Sequence, residues 1–291
     1  MESNIKRNCN VDIFIYSHIP FRPATTDHVY KVLTHSHENS GKFDTDLEIF
    51  RDYTDDNISD KNIMYNEYSG IYWVWKNYPL KDYVGFNHYR RIYTNSKGEI
   101  MEFNKMPTID DLIYNGKYKI ILNKKFELRW HPGMPNAGQL ATNREWYEFW
   151  HNINDLNLLG DIIKDKYSDY YDGYEKMCNS KYLYPCSLFL MPTELFDEYC
   201  EFIFGVLDEF RKRRGFNTEE DCINYVKEHE DLYIKNDGFH GYYDVKMQSR
   251  IVGYIAERAL ATFLMHGGKD SLENNAAVFN WVMIPESYYK V

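Results

Sequence analysis

Short apolar runs separated by stretches of helical periodicity constrain this chain more than any other feature. Val11–Ser17 (VDIFIYS), Tyr83–His88 (YVGFNH), Tyr118–Asn123 (YKIILN), Tyr184–Met191 (YPCSLFLM) and Val278–Ile284 (VFNWVMI) are rich in β-branched and aromatic residues and read as strands. Asn62–Asn77 is too long and too evenly apolar for a strand; it reads as one buried helix ending before Pro79. Thr108 with Asp111 caps a short helix stopped by Gly116, and Thr142 with Glu145 forms a capping box for a helix through Trp150. Asn154 caps the next helix. Pro192 and Thr193 start a long one over Glu194–Arg214, whose Phe196, Tyr199, Ile203, Leu207 and Phe210 follow helical spacing. Thr218–His229 and Arg250–Met265 complete the helical set. Strands alternating with helices predict an α/β fold with a mostly parallel central sheet flanked by helices. The 291 residues contain no linker-like run and no repeat, so a single domain over 1–291 is expected.

One strand ends unusually. Tyr83–Tyr93 (YVGFNHYRRIY) opens as a buried strand and finishes in His88, Tyr89, Arg90 and Arg91. Arginine forks bind oxyanions, and ligands of open α/β sheets sit at strand C-terminal ends. Strand alternation puts His88 and Arg90 on one side and Arg91 on the other. The pattern points to an anion site, and the loop after the first strand, His18–Asp27, is placed to hold a nucleotide beside it.

The formal net charge of −10 argues against bulk nucleic-acid binding, although FRKRRG (Phe210–Gly215) is locally basic. Those cations also suit the last turn of a helix stopped by Gly215. Five scattered cysteines without a CxxC pair point to reduced thiols and away from zinc or a disulfide framework. The apolar run Val11–Tyr16 is too short for a signal peptide, and no segment has the length a membrane span needs. Aromatic content is high at 17%, led by 27 tyrosines, a composition suited to sugar contacts. GxGxxG and GxxxxGK[ST] are both absent, which removes Rossmann dehydrogenases and P-loop enzymes.

Three further stretches carry candidate chemistry. Asp52–Asn62 (DYTDDNISDKN) holds more polar residues than helix capping requires. Lys124–Ala141 has no period and carries Pro132, Gly133, Pro135 and Gly138, as functional loops do. Arg250, Tyr254, Glu257 and Arg258 fall on related faces of one apolar helix.

Taken in order, DYTDDNISDKNIMYNEYSGIYWVWKN, YVGFNHYRRIY, YPCSLFLMPTELFDEYCEFIFGVL and RIVGYIAERAL resemble the bacterial polysaccharide-biosynthesis family known as domain of unknown function 4422. The resemblance implies a GT-A-like glycosyltransferase with a donor-binding part over about 10–125 and an acceptor-side part over about 126–291. It implies a hexosyl- or pentosyltransferase of the cytoplasm that uses a nucleotide sugar, UDP-linked. The acceptor would be a hydroxyl of a capsular, exopolysaccharide or O-antigen glycan. The donor set is then His18, Asp52, Asp56, Asn57, Asn62, His88, Arg90, Arg91 and Arg258. Glu257 is the expected proton acceptor, with Asp237, His240 and His88 as rivals, while His151, Asp155 and Tyr254 face the acceptor. No metal ligand is expected, because Arg90, Arg91 and His88 take the place of the metal usual in GT-A enzymes. Mg2+ or Mn2+ stays compatible, since Mg2+ often binds through one or two carboxylates and phosphate oxygens. Two alternatives stand beside this reading. One is a phage-type transferase acting on hydroxymethylated DNA bases through FRKRRG and NKKFELRWH. The other is a non-catalytic carbohydrate-binding protein.

Overall fold

The computed structural model describes residues 10–37, 41–103, 113, 117–134, 136–235 and 243–290. Ten strands appear among them: β1 (Val11–Ser17), β2 (Tyr30–Thr34), β3 (Ile49–Arg51), β4 (Tyr83–His88), β5 (Arg91–Thr94), β6 (Ile120–Asn123), β7 (Phe126–Glu127), β8 (Tyr182–Leu183), β9 (Phe189–Pro192) and β10 (Ala276–Met283). The run β3-β2-β1-β4 is parallel, and all seven residues of β1 are buried, as expected of a strand covered on both faces. Alternate residues feed two cores. Phe14, Tyr16, Val84 and Phe86 enter one, and Ile13, Ile15 and Tyr83 the other.

The expectation of a mostly parallel sheet is corrected beyond β4. There β9 runs antiparallel to both β4 and β6, and β10 is parallel to β6 but antiparallel to β5. The sheet is therefore mixed. β9 covers only Tyr83–Phe86 of β4, which leaves His88 to pair with Arg91 of β5 across the two-residue turn Tyr89–Arg90. β7 and β8 form a separate small ribbon.

The segment read as one helix is two, Asn62–Tyr65 and Tyr68–Asn77, broken where Asn66 adopts φ 54°. The capping box at Thr142 forms as expected, whereas Asn152, not Asn154, caps Ile153–Lys166. Thr193–Arg214 ends at Gly215 in the left-handed region, φ 75°, where a glycine stop belongs. Thr108, Asp111 and Gly116 lie outside the described residues. Among those described, no helix is long and apolar enough to cross a membrane.

Candidate functional site

The site forms where β1 and β4 end. Tyr16 and His88 are register partners there. Because His88 and Arg91 are directly opposed across the turn, their side chains share a face, and Arg90 occupies the turn itself. This replaces the strand-alternation expectation that paired His88 with Arg90. The Nε atoms of Arg90 and Arg91 are buried without a hydrogen-bond partner, and neither guanidinium pairs with a carboxylate among the described residues. Their packing is against rings, Arg90 at 5.2 Å from the Tyr89 centroid and Arg91 at 5.9 Å from that of Trp281. His18, at the head of the loop after β1, feels Arg90 and Arg250 and meets Tyr89 edge-on at 5.6 Å.

Desolvation first, then Arg91 and Arg90, hold the His88 pKa well below its ordinary value, so the ring is neutral. Its Nδ1 accepts the Arg90 amide proton at 3.2 Å, which leaves the ring proton on Nε2.

A polar network supports this end of the sheet from below. Asp52 is fully buried, with Oδ1 on His35 Nδ1 at 3.0 Å and Oδ2 accepting from Ser69 Oγ at 2.6 Å. Asn62 Nδ2 donates to Tyr16 Oη at 2.6 Å and to Ser69 Oγ at 2.7 Å. Gly70 leaves the space for the Tyr16 ring, since a Cβ there would sit 2.6 Å from it. Asp52 and Asn62 therefore belong to the site as its floor. Both Asp52 oxygens are hydrogen-bonded inside the protein. Among the described residues no group of three or more His, Cys, Asp or Glu is arranged to hold a metal ion.

Asp56 and Asn57 are placed elsewhere. Asp56 accepts from Tyr72 Oη at 3.1 Å and exchanges bonds with Asn77, while Asn57 closes its own turn on Asp55 and Ser59. They pin the loop to the helix Tyr68–Asn77.

Two carboxylates face the cations. Glu257 accepts from the Cys186 amide through Oε1 and from Arg258 Nη1 through Oε2, both at 3.0 Å. Cys186 and Ser187 both have positive φ, 62° and 50°, so Glu257 braces a strained turn. Arg258 is only 3% exposed, lies over Tyr147 and pairs with Glu257. The second carboxylate, Glu67, was not singled out from sequence, where it reads as helix interior. It follows the strained Asn66, and desolvation, then the Glu257 charge, raise its pKa against the pull of Arg250 and Arg91. Asn66 is itself gripped by Arg250, whose Nε donates to Oδ1 at 2.6 Å. A break inside an otherwise continuous apolar run was the available signal.

On the acceptor side, His151 stacks on Tyr254 at 4.1 Å and bonds Gln248 through Nδ1 at 3.1 Å. Asp155 is not with them. It is fully buried, ion-paired to Arg214 at 2.6 Å and bonded by Tyr233 Oη at 2.8 Å, where it ties the helical layer together. Asp237 and His240 lie outside the described residues. The basic stretches are neutralised: Arg211 pairs with Asp208, Arg213 with Asp165 and Glu209, Arg129 with Glu127, and Lys125 with Glu273.

A cavity of about 570 Å³ opens beside the end of β3, lined by His37, Phe50, Arg51, Tyr53, Thr54 and Trp73, on the same sheet edge as the cations. A larger one, about 760 Å³, lies at the start of β4 around Tyr83, Pro192 and Phe263, the wrong end of the parallel strands for this site.

The fold is a mixed α/β sheet with arginines at a strand end; sequence comparison supplies the family. Residues 12–227 match the family model described as "Domain of unknown function (DUF4422)", and the chain belongs to that family. The fold is similar to that of a solved structure titled as the apo form of the WbbM bifunctional glycosyltransferase. The two agree with a TM-score of 0.66 and 24% identity over 94% of this chain and 45% of that one. This chain thus spans less than half the length of that protein. No curated protein sequence matches it.

Proposed function

We propose that this protein transfers a sugar from a UDP-linked donor to a hydroxyl of a capsular, exopolysaccharide or O-antigen glycan. The observation that carries the reading is the pair Arg90 and Arg91, half-buried at a strand end with unpartnered Nε atoms. Buried polar groups are almost always satisfied, so two such forks call for an anion that arrives with the substrate. A nucleoside diphosphate is such an anion, and its charge grows as the glycosidic bond breaks. Donors already aimed at that position stabilise the transition state without reorganising. Neutral His88 adds a third donor from Nε2.

The cavity beside β3 suits the nucleoside, with His37 and Tyr53 stacked at 4.9 Å along its wall. The proton of the acceptor hydroxyl passes to the carboxylate pair. Glu257 has both oxygens engaged, so Glu67, with its raised affinity for a proton, takes it, and Glu257 with Arg258 holds the Cys186–Ser187 turn beside it. Free thiols at Cys178, Cys186, Cys200 and Cys222 are compatible with a cytoplasmic site of action.

The test is nucleotide binding. Each charge-assisted bond contributes about 1.5–3 kcal/mol. Arg90→Ala and Arg91→Ala should each weaken UDP binding by roughly tenfold or more, measured by calorimetry, with little change in melting temperature. Unchanged UDP affinity in both variants would sink the diphosphate assignment.

A further inference from the structure

We infer that His35, held by Asp52, reads a ribose hydroxyl of the donor, so that the protein distinguishes ribonucleotides from their deoxy forms. This rests on the nucleotide-sugar reading above and adds a specificity residue to it. His35 follows β2 directly and Asp52 follows β3 directly, so both stand at the carboxyl ends of neighbouring parallel strands. Ser17 O accepts from the His35 amide at 3.0 Å and from Thr34 Oγ1 at 2.9 Å. Thr34 O accepts from the Asp52 amide at 3.1 Å. The backbone that carries each side chain is therefore tied to the sheet.

The pair fixes what the imidazole offers. Asp52 is fully buried, and its Oδ2 accepts from Ser69 Oγ at 2.6 Å and from Tyr16 Oη at 3.3 Å. Its Oδ1 lies 3.0 Å from His35 Nδ1. A carboxylate that only accepts requires the ring proton on Nδ1, which leaves Nε2 of the neutral ring as an acceptor. Among the described residues no protein group bonds Nε2, and the His35 side chain is 26% exposed, so a ligand has access to it. Satisfying Asp52 alone would need only an amide donor at this position. The imidazole adds an acceptor on its far side.

Position along the sheet edge selects the part of the nucleotide that meets it. The strand order β3-β2-β1-β4 sets Tyr53 after β3, His35 and His37 after β2, His18 after β1, and His88 with Arg90 at the end of β4. With neighbouring strands about 4.8 Å apart, β2 lies about 10 Å from β4. On one side of His35, the His37 ring lies 6.1 Å away and stacks on Tyr53 at 4.9 Å, on the wall of the cavity beside β3. On the other side, His18 feels the charges of His35 and Arg90 and meets Tyr89 edge-on. The base goes to the rings and the diphosphate to the arginines, so the ribose that joins them falls at His35. Its 2′- and 3′-hydroxyls donate, and Nε2 accepts. A site built to bond a substrate hydroxyl penalises an analogue that lacks it, because the protein group is left unpaired.

The experiment is calorimetry on the full chain with UDP, 2′-deoxy-UDP and 3′-deoxy-UDP, and with ADP and GDP beside their own deoxy forms. The wild type should bind UDP about three- to tenfold more tightly than at least one of its deoxy forms. His35→Asn keeps an amide donor for Asp52 in the place of Nδ1 and removes Nε2. It should keep the wild-type melting temperature, bind UDP as weakly as the wild type binds that deoxy form, and no longer tell the two apart. Nitrogen NMR of the wild type supplies a readout that needs no variant: the His35 Nε2 resonance should move with UDP and less with the deoxy form. Equal binding of UDP and both deoxy forms by the wild type, discrimination that survives in His35→Asn, or an Nε2 resonance indifferent to UDP would each overturn the inference. All three outcomes leave the diphosphate reading standing. Discrimination in the ADP or GDP series without any binding of UDP would keep His35 and replace the uridine of that reading. No binding of any nucleotide would remove both.

Discussion

At the scale of single residues, the site works by placing charge where water has been removed. His88 shows the cost of that placement. Desolvation, Arg91 and Arg90 all oppose its protonation in the folded state, while the unfolded chain protonates it near pH ~6.5. The unfolded state therefore binds the extra proton below that pH, so stability is full above about pH 6.5 and falls as the pH drops below it. Melting temperatures recorded between about pH 7 and 5 should fall more steeply for the wild type than for His88→Gln. Parallel curves would mean that the ring is not desolvated in solution. The two carboxylates separate in the same way. Glu67→Gln should keep its fold and lose turnover by about 10²–10⁴-fold, the size of a missing general base. Glu257→Gln disturbs the pair with buried Arg258 and the bond to Cys186, so it should lose about 3–5 kcal/mol of stability. The reverse pattern, a stable but inactive Glu257→Gln, would return the base to Glu257.

At the scale of elements, the cleft depends on two interruptions. The first is the turn Tyr89–Arg90, which folds β5 back on β4 and lines up His88 with Arg91. The second is the break at Asn66, which separates two helical segments and brings Glu67 beside the cations. Small residues permit the close approach these interruptions need. Gly253 lets the helix Ile251–Met265 pass against Asn66, and Gly70 lets the helix Tyr68–Asn77 lie on the Tyr16 ring. A Cβ at residue 70 would also sit 2.9 Å from Leu33, leaving the ring nowhere to retreat. Gly70→Ala should then cost about 1–3 kcal/mol of overpacking, read by urea denaturation. Wild-type stability in that variant would show that Tyr16 has room to move.

At the scale of the whole molecule, a chain of net charge −10 gathers His18, His88, Arg90, Arg91 and Arg250 at one end of its sheet. The carboxylates nearest them are either locked in hydrogen bonds, as Asp52 and Glu257 are, or raised in pKa, as Glu67 is. On the proposed reading, the charge released with the leaving group would be met by fixed arginines. Sugar transfer, or donor hydrolysis in the absence of acceptor, should persist in EDTA. Abolition by EDTA with rescue by Mn2+ would show that carboxylates hold an essential ion.

The amino-acid sequence determined the local pieces whose signals are local. Val11–Ser17 and Tyr83–His88 were legible as strands because β-branched and aromatic residues in short runs need no other context. The Thr142–Glu145 box and the Gly215 stop were legible because caps satisfy backbone groups within a few residues. HYRR was legible as a cationic strand end because two adjacent arginines there stand out from a buried apolar strand. Only the tertiary structure decided which strands run antiparallel, since the pairing of β9 with β4 joins residues over a hundred positions apart and no local pattern encodes it. It also decided that Asp155 and Arg258 face inward while Glu67 comes within reach of the charges of Glu257, Arg250 and Arg91. Nothing in the sequence tells which of these three charged residues turns inward. What separates them is burial and the partner each meets, and both are set only when the helices close over the sheet.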